Sequence, residues 1–291
     1  MPVRGRLGAN QVRGVVAIGA VVLTMGTGCV ERPPTTAAAR GTPSPTAVAA
    51  SATPTERVPP AATAPAGLPV LSYDLAPGGF PADPAPQSTR PIHEGLRPVR
   101  RVAAYDGPGG RPLAYLAPTL AGVPVTVPIV DRRAGWVAVL LPSANRRIAW
   151  LPPGDGWTTA PLRDQLVVYR RTHQLRWYRD DRLLKSWPVS LGTKATPTPL
   201  GRTFILGRSR LRGAVYANTD VFALGSVPDD PLSVPPGLRG AHTGVHTWHN
   251  DRTLGQNSTN GCIRLTRSGQ RLLLRHLAPG TPVVVRDAPG G

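Results

Sequence analysis

At 291 residues the chain has room for two modest domains, and 35 prolines with 32 glycines beside a hydrophobic fraction of 41% exclude a polypeptide folded from end to end. The formal net charge of +18, nearly all of it arginine, excludes cationic partners and favours nucleic acid, anionic lipid or an anionic cell wall. In chain order, Arg4, Arg6 and Arg13 come first, followed by the apolar run GVVAIGAVVLTM. At about 12 residues that run is too short to cross a hydrocarbon core of about 30 Å, and it fits a secretory signal peptide.

Gly26, Thr27 and Gly28 then lead to Cys29, a small-residue approach to cysteine that resembles a bacterial lipobox. Residues 1–29 are therefore expected to be a signal peptide with Cys29 as a lipidation site, and the alternative is plain secretion. Both readings place the protein outside the cytoplasm, as a membrane-anchored lipoprotein or in the cell wall, and remove nucleic acid as a partner. The only other cysteine is Cys262, which an acylated Cys29 leaves as a free thiol. Residues 30–96, rich in Pro, Ala and Thr with neither period 2 nor period 3.6, read as a disordered tether.

Residues 97–159 alternate short β-rich runs with GPGG, AGVP, DRRAG and SANRR. Trp136 and Trp150 sit beside alternating Val, Ala, Ile and Leu, and the region resembles bacterial SH3-like modules, a small β-barrel for wall binding or for packing. Residues 160–288 begin with LVVYR and LRWYR, broken at Thr172-His173, and continue through a turn into DDRLLKSWPVSLG. ATPTPLG forms an extended arm into a strand from Thr203 to Leu206, and TPVVVRD is a last strand. One helix is expected, over 268–276 with Ser268 as its cap. The fold class is mainly β, a small SH3-like β-barrel followed by a β-sandwich with one or few short helices.

The chemistry lies in NSTNGCIRL. Cys262 follows Gly261 in a polar, glycine-rich setting unlike that of a buried inert cysteine. Arg264 shares its face in a strand, and the backbone N–H groups of Gly261 and Cys262 are candidate oxyanion donors. HTGVHTWH holds His242, His246 and His249. Helical spacing would make this a zinc site, but the residues read as strand and no carboxylate is suitably placed, so no metal is expected. An imidazole from this cluster is the expected base for the thiol, and the residues do not say which.

Together these stretches resemble the L,D-transpeptidase (YkuD) catalytic domain. The resemblance is carried by Pro197-Thr198-Pro199-Leu200-Gly201 with Phe204, His246, Leu254-Gly255, Thr259-Asn260-Gly261-Cys262-Ile263-Arg264 and the closing GTPVVV. It implies Cys262 as nucleophile, His246 as general base, Gly261 at the oxyanion, and Arg264, Asn260, Thr247 and Trp248 around substrate, with no cofactor. Thr247 and Asn260 depart from the family's commoner residues, Gly or Ser and His. The implied reaction is acyl transfer on peptidoglycan stem peptides through a Cys262 thioester, giving 3→3 cross-links. An L,D-carboxypeptidase with the same site, or a non-catalytic wall-binding lipoprotein, is the alternative.

Overall fold

The structure, a computed structural model, describes residues 57–74, 76–143, 147–209, 216, 218–225 and 243–289. The signal segment with Cys29, the first part of the expected tether, the tip of the SANRR turn and His242 lie outside the described residues. Both sheets belong to one compact unit, Pro54–Gly291.

The first set of strands is β1 (Glu94–Pro98), β2 (Val102–Tyr105), β3 (Pro112–Leu116), β4 (Thr119–Leu120), β5 (Val123–Pro124), β6 (Val127–Arg133), β7 (Trp136–Leu140), β8 (Ile148–Leu151) and β9 (Trp157–Pro161). Seven of them form one antiparallel sheet in the order β3-β2-β8-β7-β6-β1-β9, while β4 and β5 make a separate hairpin. Among the described residues no ladder joins β3 to β9. The turns are those the glycines announced: Ala121-Gly122 and Ala134-Gly135 take positive φ at both residues, which suits tight hairpins between right-twisted strands. Trp136, at 0% exposure, sits at the centre of the core of this sheet, edge-on to Tyr105.

Residues 57–96 of the expected tether are part of the fold. From residue 57 the chain packs onto the first sheet, and Leu71, Tyr73 and Phe80 are buried in its core. The Pro-rich stretch has no ladder of its own, so its carbonyls are open to side-chain donors. Trp136 Nε1 donates to Pro59 O at 2.9 Å, the Tyr105 hydroxyl to Ala62 O at 2.7 Å, and the Tyr115 hydroxyl to Pro65 O at 3.2 Å. Composition averaged over the tract hid a few large apolar residues and a row of acceptors, and these suffice to dock it.

The second set comprises β10 (Asp164–Tyr169), β11 (Gln174–Arg179), β12 (Arg182–Pro188), β13 (Leu191–Gly192), β14 (Gly201–Ser209), β15 (Val221–Gly225), β16 (Gly244–His246), β17 (Asn257–Thr259), β18 (Ile263–Arg264), the helix α1 (Arg267–His276) and β19 (Pro282–Arg286). Eight strands form a mixed sheet in the order β12-β11-β10-β19-β14-β15-β16-β18, parallel at β10–β19 and β16–β18. Asp180 and Asp181, both at positive φ, make the two-residue turn into β12. The expected helix begins one residue earlier than its serine suggested. Thr266, in an extended conformation, is the cap and accepts from Gly269 N–H at 3.1 Å, while Ser268 falls in the first turn.

Strand β14 joins the two cores. Its side chains alternate, so Ile205 enters the core of the mixed sheet while Phe204 and Leu206 enter the core of the first sheet. A strand buried on both faces must be apolar throughout, and β14 is buried from Gly201 to Gly207. Arg202 interrupts this run and is compensated by a buried ion pair with Asp83 (Nε–Oδ2 2.8 Å), whose exposed fractions are 7% and 1%.

Candidate active site

The site is built on a short parallel pair at the sheet edge. Strands β16 and β18 register Val245 against Ile263 and His246 against Arg264. Alternation sends Val245 and Ile263, both at 0% exposure, into the core, and turns His246 and Arg264 to the opposite face. Cys262, one residue before β18, shares the face of Arg264 and lies beside Gly244, whose backbone favours the anionic sulfur. The outer edge of β18 is held by Ser190, which exchanges both backbone hydrogen bonds with Arg264 at 2.9 Å. Behind the pair, Gln270 of α1, at 0% exposure, donates to Asp220 O at 2.9 Å and Val245 O at 3.0 Å, and so fixes β16 next to His246.

The turn into Cys262 is tied by one hydroxyl. Thr259 Oγ1 accepts from Gly261 N–H at 3.1 Å and donates to Cys262 O at 2.6 Å. The arm carrying Pro197-Thr198-Pro199 explains its presence here. Thr198 Oγ1 accepts from Gly192 N–H at 2.9 Å, Thr193 N–H donates to Thr259 O at 2.9 Å, and Thr196 Oγ1 donates to the same carbonyl at 3.3 Å. One expectation needs correcting. The Gly261 N–H is engaged by Thr259 and is not open to an oxyanion, because closing so tight a turn consumes that donor. What Gly261 contributes is its φ of +103°, where a side chain is strained. Gly261→Ala should therefore cost roughly 1–2 kcal/mol. By displacing Cys262 it should also slow thiol acylation about tenfold or more. Urea denaturation and a rate of modification by a β-lactam check the two effects separately.

His246 is 4% exposed, and its Nδ1 lies 2.6 Å from Thr247 O. A carbonyl only accepts, so Nδ1 carries the proton and Nε2 is the acceptor, the tautomer a general base needs. Burial holds the imidazole down to about 4; the Thr247 bond opposes this and the Arg264 charge adds to it. Burial pushes the Cys262 thiol up, against the pull of the Gly244 backbone and of Arg264. The two groups therefore rest at neutral pH as thiol and neutral imidazole, not as an ion pair.

Arg264 is itself lowered by burial, with Cys262 and then Tyr216 acting in the other direction. Its guanidinium lies 3.5 Å over the Trp248 ring, and its Nε is buried without a partner. Trp248 packs edge-on to Tyr216, which also meets His246 at 5.1 Å between ring centres. Thr247, 1% exposed, donates through Oγ1 to Tyr216 O at 2.6 Å. That bond belongs to the scaffold of the base and leaves no hydroxyl free for substrate, so the expected substrate contact at Thr247 is corrected to a structural one.

Cys262, His246, Arg264 and Trp248 thus converge, and Gly261 shapes the turn. Asn260 is exposed on that turn, and His249 is exposed and packs against Trp248. Among the described residues no group of three or more His, Cys, Asp or Glu is arranged to hold a metal ion. Sequence reasoning missed Gly244, Tyr216 and Gln270. Gln270 had a signal, a lone amide at i, i+3 and i+7 from buried Leu273 and Leu277. Gly244 had one too, a glycine two residues before the histidine. Tyr216 had none.

A free thiol and an imidazole fixed as an acceptor thus stand on one face of a parallel strand pair at the edge of a mixed sheet. Residues 163–285 match the YkuD family, the L,D-transpeptidase catalytic domain. The chain carries a YkuD-type L,D-transpeptidase catalytic domain over that region. It is 30% identical over 107 residues to a Bacillus licheniformis protein named as an L,D-transpeptidase YkuD, a match covering 37% of this chain. The chain spans 54% of that relative, about half its length. Among solved structures, an L,D-transpeptidase from Mycobacterium tuberculosis is similar at 16% identity, covering 52% of this chain and 90% of that one, with a TM-score of 0.35. The catalytic domain of the E. faecium L,D-transpeptidase is similar at 20% identity, covering 42% and 96%, with a TM-score of 0.31.

Proposed function

We propose that the protein is an exported peptidoglycan L,D-transpeptidase in which Cys262 is the nucleophile and His246 its general base. The observation that carries the reading is the Nδ1–Thr247 bond, which leaves a neutral Nε2 acceptor on the same face as the thiol. His246 takes the thiol proton as sulfur attacks the carbonyl of the third stem residue, a diaminopimelyl L-centre. The same imidazole then protonates the departing D-alanine amine. With Gly261 occupied, the oxyanion falls to the Cys262 N–H. An amine of a second stem resolves the thioester as a 3→3 cross-link, and His246 repeats its two proton transfers. Arg264, buried on Trp248 with an unsatisfied Nε, suits a substrate carboxylate. Acylation of Cys29 and attraction of the basic chain to an anionic wall complete the proposal.

The test uses intact-protein mass spectrometry after exposure to a carbapenem, whose strained carbonyl acylates activated nucleophiles. One covalent adduct is expected in the wild type and none in Cys262→Ala. Purified stem peptides should then give dimers joined between third residues. Free D-alanine without dimers would make the enzyme a carboxypeptidase, and no adduct on an intact thiol would overturn the catalytic reading.

A further inference from the structure

The helix behind the site does more than fill the core. Gln270 lies on the buried face of α1, one turn before Leu273, and is itself 0% exposed. Its amide Nε2 donates to two backbone carbonyls, Asp220 O at 2.9 Å and Val245 O at 3.0 Å. Asp220 adjoins the first residue of β15, and Val245 is the middle residue of β16. The Val245 carbonyl belongs to the same planar peptide unit as the His246 nitrogen, so fixing one fixes the other. On the other side, the His246 carbonyl accepts from Leu265 N–H at 3.0 Å. The backbone of His246 is therefore held from both sides, once by a side chain of α1 and once by the residue that follows β18.

The same amide carries a penalty. Gln270 Oε1 is buried with no hydrogen-bond partner among the described residues. An apolar side chain of the same length would leave no such atom, so packing alone does not account for an amide here; its two donated bonds do. The helix is seated closely enough to aim them. A Cβ on Gly269 would lie 2.9 Å from Leu265 Cδ1 and 3.0 Å from Trp187 Nε1, so α1 sits hard against both. Leu273 and Leu277 enter the core of the mixed sheet, Thr266 caps the first turn, and Arg208 of β14 donates to Leu277 O at 2.9 Å at the other end.

We propose that Gln270 is a positioning residue for the general base: through the Val245–His246 peptide unit it holds the imidazole in the orientation in which Nδ1 meets Thr247 O and Nε2 is left as the acceptor. The inference rests on the reading of His246 as that base. The titratable groups on the same face are Cys262 and Arg264, with Tyr216 against the ring at 5.1 Å between centres. The ionisable residues of α1, Arg267, Arg271, Arg275 and His276, are exposed, so Gln270 acts on the ring through backbone geometry and not through charge. When the peptide unit is free to rotate, the Nδ1–Thr247 bond and the burial of the ring loosen together. Tautomer and protonation then both report the loss.

The experiment compares the full chain with Gln270→Met and Leu273→Val by NMR of the histidine side-chain nitrogens across pH, with His246→Gln to assign the His246 signal. Carbapenem acylation rates and thermal melting are read beside it. Gln270→Met keeps length and apolar packing and removes both donated bonds. Neutral His246 should change from the Nδ1–H form to a mixture of tautomers, and its midpoint should rise from about 4 towards 6.5. Acylation at neutral pH should slow about tenfold. Leu273→Val trims packing on the same helix face and should lower the melting temperature without moving tautomer or midpoint. An unmoved His246 signal in Gln270→Met would overturn the inference, as would an equal change in Leu273→Val. Gln270→Glu gives a second reading should the methionine variant not fold. Its carboxyl donates one bond only while protonated, so its acylation rate relative to wild type should fall as pH rises through the carboxyl's titration, and a constant ratio would overturn the inference. Acylation of His246→Gln at the wild-type rate sinks the proposed base, whatever Gln270→Met does to the ring. A slow His246→Gln beside an unmoved Gln270→Met signal sinks only the positioning role.

Discussion

Replacing His246 by glutamine should slow carbapenem acylation of Cys262 at neutral pH by about 10²- to 10⁴-fold while the domain remains folded. Glutamine keeps a polar group of similar reach but cannot accept the thiol proton. Because burial holds the imidazole at about 4, the wild-type rate should fall only as pH approaches that value, well below an ordinary histidine's 6.5. The variant should lose this acid limb, its rate rising with pH as the raised thiol ionises without help. Stopped-flow acylation across pH 4–9 reads both features. An unchanged rate, or a wild-type limb near 6.5, would contradict the buried-base assignment.

The same shift bears on stability. Between pH 6.5 and about 4 the unfolded chain holds a proton on His246 that the folded chain does not. The contribution is therefore fully present above 6.5 and is lost as pH falls through 4, amounting to about 3 kcal/mol. Urea midpoints of His246→Gln should accordingly vary less between pH 7 and 4.5 than those of the wild type.

The second large effect is expected at Asp83. Removing its carboxylate by Asp83→Ala leaves the Arg202 guanidinium buried near the start of β14 without its counter-ion, and should cost about 3–5 kcal/mol in urea denaturation at pH 7. Adding Arg202→Met to the same chain should recover most of the loss, because the uncompensated charge is the larger part of it. A single variant as stable as the wild type would mean that water reaches Arg202, contrary to its burial.

The strands of the catalytic domain were legible because their cues are local. LVVYR and LRWYR alternate, Asp180-Asp181 can only be a tight turn, and PVVVR is an apolar run too short for a helix. The helix was legible but not its cap, because Thr266 and Ser268 are both good caps and the end of β18 decides between them. The tether was misjudged between residues 57 and 96, where five buried apolar side chains, Leu71, Tyr73, Phe80, Ile92 and Leu96, stand too far apart to make a period.

The sequence by itself determined that Cys262 and Arg264 share a face, that a flexible glycine precedes the thiol, and that a histidine with β-rich neighbours stands ready as a base. Only the tertiary structure distinguished His246 from His249, by pairing β16 with β18 and burying the His246 ring against Tyr216. It likewise closed the Gly261 N–H against Thr259. Alternation is a property of neighbouring residues. Desolvation and strand pairing depend on what arrives from elsewhere in the chain, and no local period records that arrival.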